Sequence, residues 1–544
     1  MMQERVPVLI VGGGIVGLSA SLFLSRLGIA SLLVERHSST SIHPRARGVN
    51  ARTMELYREL GLEEAIEAAG AELSPSFGLF VAQTLKEAIE PLPRRTEPLT
   101  FPGAAIFDEI SPTHGNRVTQ DLLEPVLLAE ARKRGGDLRF STEMVSFEQD
   151  ASGVTAVIID RTSGTQSTVR ADYMIAADGA GSRVRDILGV SVSGSGTLGY
   201  LLNILFLADL REFVRDREFS ICLIERQGMR GLFTSINNSD RWVFHLSYDP
   251  EQGEKPEDFP PERCKELLHI ALGMPEIEIE IKSILPWESA VRVVDGFQQG
   301  HVFLAGDAAH QMPPWGGQGA NTGVQDVHNL AWKLAMVLKG LADPALLNTY
   351  DVERQPVGRR AAEESGMAAD EKGILSLKRF TASSTNRMFR MLGYGYQYAS
   401  TAIISDDNII SGPEDEPGLD GQPGTRASHA WVTHQGQRIS TLDLFGTSFV
   451  LLTGSDGAAW CEAARAIAAR QNCELVAYSI GPEGDLRDQE NCWQQRAGIS
   501  ATGALLVRPD GFVAWRCKEM IDDPQHMLQS MLQQVPGWKG NQAV

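Results

Sequence analysis

Short unbroken apolar runs alternate along this chain with stretches in which apolar residues return every three or four positions. Val6 to Val11 is one such run, as expected for a parallel strand buried on both faces. Ile15, Leu18, Leu22 and Leu27 follow at helical spacing, with Ala20 and Ala30 as small packing residues, and Ser31 to Val34 predicts the next strand. The same run-then-turn pattern recurs at Tyr173 to Ala177 and at Val302 to Ala305. A long amphipathic helix is predicted through Asp326, Leu330, Trp332, Leu334 and Leu338,. Strand-like runs at Leu201 to Leu207, Phe219 to Ile224, Gly231 to Ile236 and Trp242 to Ser247 predict an antiparallel sheet between the second and third patterns. A helical stretch runs from Asp351 to about Lys372, and Ser411 to Gly418 has the composition of a linker,. From about Ala427, short strands and helices alternate to Trp515.

Each of the three recurring apolar runs leads into glycine. The first turn is Gly12-Gly13-Gly14-Ile15-Val16-Gly17. Gly12 permits the tight turn, Gly14 lets backbone approach a pyrophosphate, and Gly17 lets helix and strand pack closely. The phosphates would rest on a helix N-terminus, where unpaired amides and the dipole favour negative charge. Glu35 ends the second strand, about twenty residues on, where an acid binds ribose hydroxyls,. Arg36 beside it could cover an adenine. The second turn, Asp178-Gly179-Ala180-Gly181-Ser182-Arg183, is by itself equally readable as a turn with a helix cap,. The third, Gly306-Asp307, offers an acid to ribityl hydroxyls. It is followed by Pro313-Pro314-Trp315-Gly316-Gly317-Gln318-Gly319-Ala320-Asn321, a glycine-dense loop entering a helix, and so a second anion site. Together the turns predict FAD held along its length. Trp315 and Pro314 would face the flavin ring, with Trp315 either stacking on a flat substrate or packing against the sheet,.

On these residues the chain resembles the single-component FAD-dependent aromatic hydroxylases, the group of phenol and polyketide hydroxylases with a thioredoxin-like C-terminal domain. The resemblance extends to His43-Pro44-Arg45-Ala46-Arg47-Gly48-Val49-Asn50, to Arg117 and Gln120, and to Asn321-Thr322-Gly323-Val324-Gln325-Asp326. The tail segments Pro423 to Ala427 and Ser440 to Gly446 carry it to the C-terminal domain. Gly300-His301 departs from the family's Gly-Arg, and no role is assigned to His301. The resemblance implies a Rossmann-like FAD-binding domain with an inserted antiparallel substrate sheet and a thioredoxin-like tail. It places Arg45, Arg47, Arg117 and Gln120 at the flavin, with the two former also candidates for docking NAD(P)H. It implies NAD(P)H and O2 as co-substrates, and oxygen transfer through a flavin C4a-hydroperoxide in a dry pocket.

Composition narrows the partners. The 544 residues carry 50 Lys+Arg against 69 Asp+Glu, a net charge of −19, which disfavours nucleic acid and anionic substrates at long range. No apolar run reaches bilayer length and the start lacks a signal-peptide core, so the expectation is a cytoplasmic protein. The six cysteines form no C-x-x-C pair and no metal spacing, so no metal is expected and the tail cannot run dithiol exchange. This leaves the tail a structural or homodimer-contact role.

The organisation expected is an FAD-binding domain from 1–74, 112–188 and 291–372, a substrate-binding domain from 75–111 and 189–290, a helical segment and linker over 373–425, and the thioredoxin-like domain over 426–544. The function expected is NAD(P)H- and O2-dependent hydroxylation of a hydrophobic, polycyclic polyketide-type aromatic. The alternatives are the same chemistry on an antibiotic or xenobiotic, by hydroxylation or Baeyer–Villiger insertion, and a flavin-binding partner protein without catalysis. No general base is identifiable.

Overall fold

The computed structural model describes residues 4–73, 78–97, 109–376, 378–379, 393–404, 418–471 and 475–535. Phe77, Phe101, Ile106 and Phe107 of the 75–111 segment lie outside these residues, as do Cys473 and most of the 411–418 linker.

The apolar run at the N-terminus forms the strand Glu4–Val11, at the centre of the parallel part of an eight-stranded mixed sheet. On one side it pairs with Ser31–Val34, which in turn pairs with Asp137–Arg139. On the other it pairs with Gln166–Ala176, which pairs with Val302–Leu304. Val8, Leu9 and Ile10 are wholly buried, as an inner parallel strand requires,. The register aligns the strand ends: Val11 lies beside Ala176, and Ala176 beside Leu304. Three strands therefore stop at one level, and all three glycine turns leave from the same edge.

The second sheet has seven strands and is antiparallel except at its far edge, where Leu79–Ala82 runs parallel to Ile221–Arg226. Its longest members, Val192–Leu207 and Glu280–Val294, pair along most of their length. The latter carries few buried residues before Ala290, and no strand was expected over it. Alternate side chains point to opposite faces. Leu202, Ile204, Phe206, Phe233 and Phe244 face the Pro261–Leu272 helix and close one core. Leu201, Leu223 and Leu232, on the other face, turn toward the parallel-sheet domain. The strand His310–Gln311 joins this sheet directly after the third turn, so the roof is fastened to the turn it covers.

The tail forms a seven-stranded mixed sheet, with helices Ala458–Gln471 and Pro524–Gln534 packed on each other. It is thioredoxin-like in arrangement. Cys461 is buried beside Thr453, and burial pushes its thiol up, against nucleophilic use,. Its core merges with that of the parallel-sheet domain, Trp332 meeting Phe449 edge-on at 5.8 Å. A buried ionic cluster also crosses this junction. Glu353 accepts from Lys333 at 2.8 Å, Asn329 at 2.7 Å and both terminal nitrogens of Arg508 at 2.6 and 2.9 Å, while Arg508 also grips Asp510. Such a cluster costs desolvation and returns geometric specificity, here the seating of the tail. Among the described residues, no helix is long and apolar enough to cross a membrane.

Candidate active site

The first turn is built by contacts that only glycine allows. Gly12 has φ +109°, and a Cβ there would lie 2.2 Å from the Ala177 carbonyl oxygen. A Cβ on Gly17 would lie 1.9 Å from the Gly12 carbonyl oxygen. The first contact brings the first turn against the second turn, since Asp178 Cα is 3.0 Å from the same Cβ position. The third turn joins them through Val16. A Cβ on Gly306 would meet Val16 at 2.9 Å, and one on Gly323 would meet Val16 at 2.6 Å and Gly306 Cα at 2.9 Å. The three turns and the Gln318–Leu338 helix thus form one contiguous surface.

Two helix starts on this surface carry no side-chain cap. Gly14 precedes Ile15–Arg26 and Gly317 precedes Gln318–Leu338, and neither helix has an acid in its first turn. Nearby helices are capped by their own chain: Asn50 accepts from Thr53 N–H, and Ser182 from Arg185 N–H. Leaving two positive helix ends open suits an anionic ligand. Glu35 closes the far end, accepting from Gly13 N–H at 2.6 Å and His37 N–H at 2.8 Å. Arg36 is exposed beside it, next to His37. Asp178 accepts from Ser182 and from Val184 N–H, so its side chain serves the helix cap.

Asp307 is exposed at its own surface yet enclosed by protein. That combination describes the wall of a cleft. Burial raises its pKa, and the charges of His310 and Arg45 oppose the rise. Gly319, in the first turn of the following helix, lies close: a Cβ there would be 3.9 Å from Asp307 Oδ1. Asn321 ties this helix start to the 43–50 loop, accepting from Asn50 N–H at 2.9 Å and donating to Gly317 O at 2.7 Å. Ala320 is half-buried and Pro314 and Gly317 are exposed. Gln120 fastens the same loop by donating its backbone N–H to Ala46 O, and its side chain to Glu124.

Arg45 is exposed and Arg47 turns under the roof, where its guanidinium donates to Ser235 O at 3.2 Å and Ser220 O at 3.4 Å. Burial and the nearby Arg117 charge push Arg47 down to about 9, which still leaves it cationic at neutral pH. Arg117 is likewise lowered by burial. Trp315 is buried among Leu201, Leu223, Leu232 and Leu375. Its ring packs against the inner face of the roof.

Several residues that organise the site had no local signature. Asp326 is fully buried and accepts from Gly306 N–H at 3.1 Å, His310 Nε2 at 2.7 Å and Arg354 Nε at 2.8 Å. Its partners lie 16 to 28 positions away, beyond any spacing rule. Glu124, buried under the first turn, accepts from Ser41 N–H and Gln120 at 2.7 Å. Burial holds its carboxyl above the ordinary range despite those bonds. His43, Asn203 and His245 gather beneath the roof.

A cleft with two uncapped helix starts, an acid at one end and an acid midway fits a dinucleotide with an extended polyol, and so fits FAD. Residues 5–365 match the FAD-binding domain family and residues 420–538 the aromatic-ring hydroxylase C-terminal family. The chain belongs to the FAD-binding aromatic-ring hydroxylases. It is 40% identical to tetracenomycin A2 monooxygenase-dioxygenase of Streptomyces glaucescens, over 98% of this chain and 97% of that one. It is 37% identical to an aklavinone 12-hydroxylase of Streptomyces purpurascens, over 98% and 99%. Its fold superposes on aklavinone-11 hydroxylase in a ternary complex with FAD and aklavinone, with TM-score 0.86 and 36% identity over 98% and 99%. The protein is an FAD-dependent monooxygenase with NAD(P)H and O2 as co-substrates.

Proposed function

We propose that the enzyme hydroxylates a neutral, polycyclic aromatic of polyketide type. The observation that carries this is an apolar roof set over the polar three-turn surface. Leu201, Leu223 and Leu232 of its inner face pack into one cluster, and Leu205 and Val243 into another. An apolar lid over a polar floor suits a flat, hydrophobic ligand laid against a flavin. The relatives that act on tetracenomycin A2 and on aklavinone support the same substrate class.

In this proposal Gly12, Gly13, Gly14, Ile15, Val16 and Gly17 hold the pyrophosphate, Glu35 the ribose and Asp307 the ribityl chain. Arg36 lies over the adenine end. The start of the Gln318–Leu338 helix, with Gly317, Gly319, Ala320 and Asn321, aims its dipole at the flavin where charge gathers on reduction,. Arg45, Arg47, Arg117 and Gln120 line the ring side, and Asp178 shapes the turn beneath. Bound FAD would take up reducing equivalents from NAD(P)H and use them to activate O2 for transfer to the substrate ring. The chain binds the ring, orients the substrate above it and keeps water out. Residues 1–74, 112–188 and 291–372 form the cofactor-holding part, 75–111 and 189–290 the substrate-facing part, and the 426–544 tail supports the former and a homodimer contact. A cytoplasmic location suits the NAD(P)H requirement.

The test is NAD(P)H oxidation with oxygen uptake and product mass across candidate polycyclic aromatics. Substrate-stimulated oxidation with a product heavier by one oxygen supports the proposal. Stimulation yielding only peroxide with every polycyclic phenol offered, but hydroxylated product from one-ring phenols, would overturn the substrate class.

A further inference from the structure

The inner face of the roof is mostly apolar, with Thr234, Ser247 and Ser283 as isolated polar positions and Asn203 and His245 as a directly opposed polar pair. His245 and Asn203 are paired across neighbouring strands, with the His245 Nδ1 to Asn203 Oδ1 distance 2.6 Å. Leu201, Leu223 and Leu232 flank the pair on one side, Leu205 and Val243 on the other. A polar pair at the centre of an apolar wall has to be explained by what faces it.

The pair faces the cofactor side. Arg47 and His43, both on the 43–50 loop that borders the three turns, act on His245, and Arg45 of the same loop acts on His43 and Asp307. His43 is buried against the Asn203 backbone, and neither ring nitrogen makes a hydrogen bond of good geometry. His245 is half-buried although protein surrounds it, so, like Asp307, it lines an internal wall.

The contact also fixes the tautomer. An amide oxygen accepts, so Nδ1 carries the proton and Nε2 keeps its lone pair. No hydrogen bond reaches Nε2 among the described residues. We infer that His245, held in this tautomer by Asn203, accepts a hydrogen bond from a hydroxyl already present on the aromatic substrate, so that the site selects phenolic rings over bare ones. The inference rests on the aromatic hydroxylation proposed above. Burial, together with the charges of Arg47 and His43, lowers His245 to about 3, so the ring stays neutral at working pH and offers an acceptor to its ligand. Carboxylates and quinone oxygens, having no hydrogen to give, gain nothing from it. A phenol ionises near pH 10, about seven units above this imidazole, so the proton stays on the substrate oxygen. The bond then positions the ring and leaves its electron density high, and no base is needed. Asn203 acts through His245 and is a positioning residue.

The FAD-loaded enzyme, titrated with 9-phenanthrol and with phenanthrene and followed by the absorbance change of its bound flavin, tests this. The readout is the ratio of the two dissociation constants, which general loss of structure does not shift. His245→Phe is expected to lower the preference for the phenol about tenfold. His245→Gln, whose amide oxygen can accept, is expected to keep most of it, and Asn203→Leu to lower it with His245 still present. Should His245→Phe fail to fold, the other two variants decide. A wild-type preference unchanged in His245→Phe, or in Asn203→Leu where only that variant folds, would overturn the pair's role while leaving aromatic hydroxylation intact. A wild-type enzyme that responds to neither compound would overturn both.

Discussion

Asp326→Asn removes one charge from the most enclosed ion pair at the site and changes almost nothing in shape. Burial works to raise the Asp326 carboxyl, but Arg354, His310 and the Gly306 N–H together outweigh it and hold the group below its usual range. Arg354 is wholly buried too, and donates besides to Tyr398 Oη at 3.0 Å and Thr322 O at 3.2 Å. Stripping one partner from such a pair costs about 3–5 kcal/mol. The Asn oxygen can keep the bond from Arg354 Nε, which returns about 1 kcal/mol, so the net loss is about 2–4 kcal/mol against a total stability of about 5–15 kcal/mol. For a domain of this size the melting temperature should fall by about 4–16 °C. The new amide NH2 must then face Gly306 N–H and His310. His310 can change tautomer to accept from it, but the Gly306 N–H is fixed by the backbone and loses its acceptor. Since Gly306 begins the turn that carries Asp307, FAD should also dissociate more readily, by about tenfold. Thermal denaturation and the fluorescence rise of released FAD measure both effects. Arg354→Met should destabilise comparably, and the double variant by less than the sum. A melting temperature and FAD retention both unchanged in Asp326→Asn would refute the idea that this carboxylate holds the third turn.

Gly17→Ala gains about 1 kcal/mol of helix propensity but places a methyl 1.9 Å from the Gly12 carbonyl oxygen, so the purified protein should carry markedly less flavin per chain. Full occupancy by absorbance would mean that helix and turn do not need that approach. Asp307→Ala should lower FAD retention while leaving the melting temperature of flavin-free protein within about 1 kcal/mol equivalent, and a fully yellow variant would place the ribityl chain elsewhere. The histidines set an acid limit. Burial, aided by Arg45, Arg47 and Arg426 respectively, lowers His43 to about 4, His245 to about 3 and His429 to about 4, from 6.5. Below pH 6.5 the unfolded chain takes up these protons and the folded chain does not, so stability falls with falling pH from about 6.5 toward 4, by about 1.4 kcal/mol per unit for each histidine. His429→Gln should flatten the denaturant-midpoint profile between pH 6.5 and 5 by one proton, and an identical slope would remove His429 from the account.

The parallel core was legible because its strands are short apolar runs that must be buried on both faces, and because glycine turns mark where such runs end. Gly12, Gly17, Glu35 and Gly306-Asp307 could be placed on that basis, since each depends on neighbours close in sequence or on a fixed strand–turn–helix order. What only the tertiary structure decided is which distant residues meet. The in-register ends at Val11, Ala176 and Leu304 make three separate turns into one surface. Asp326 finds Arg354 and Gly306, Glu353 finds Arg508, and His245 finds Asn203 through strand pairing that no local pattern specifies. Trp315 shows the same division: its loop was evident from Pro313-Pro314 and the glycines, but its direction was set by the apolar strands it packs against. Local sequence carries backbone preference and the inside–outside pattern, whereas partners for buried charges and lone pairs are chosen by the packing of elements far apart along the chain.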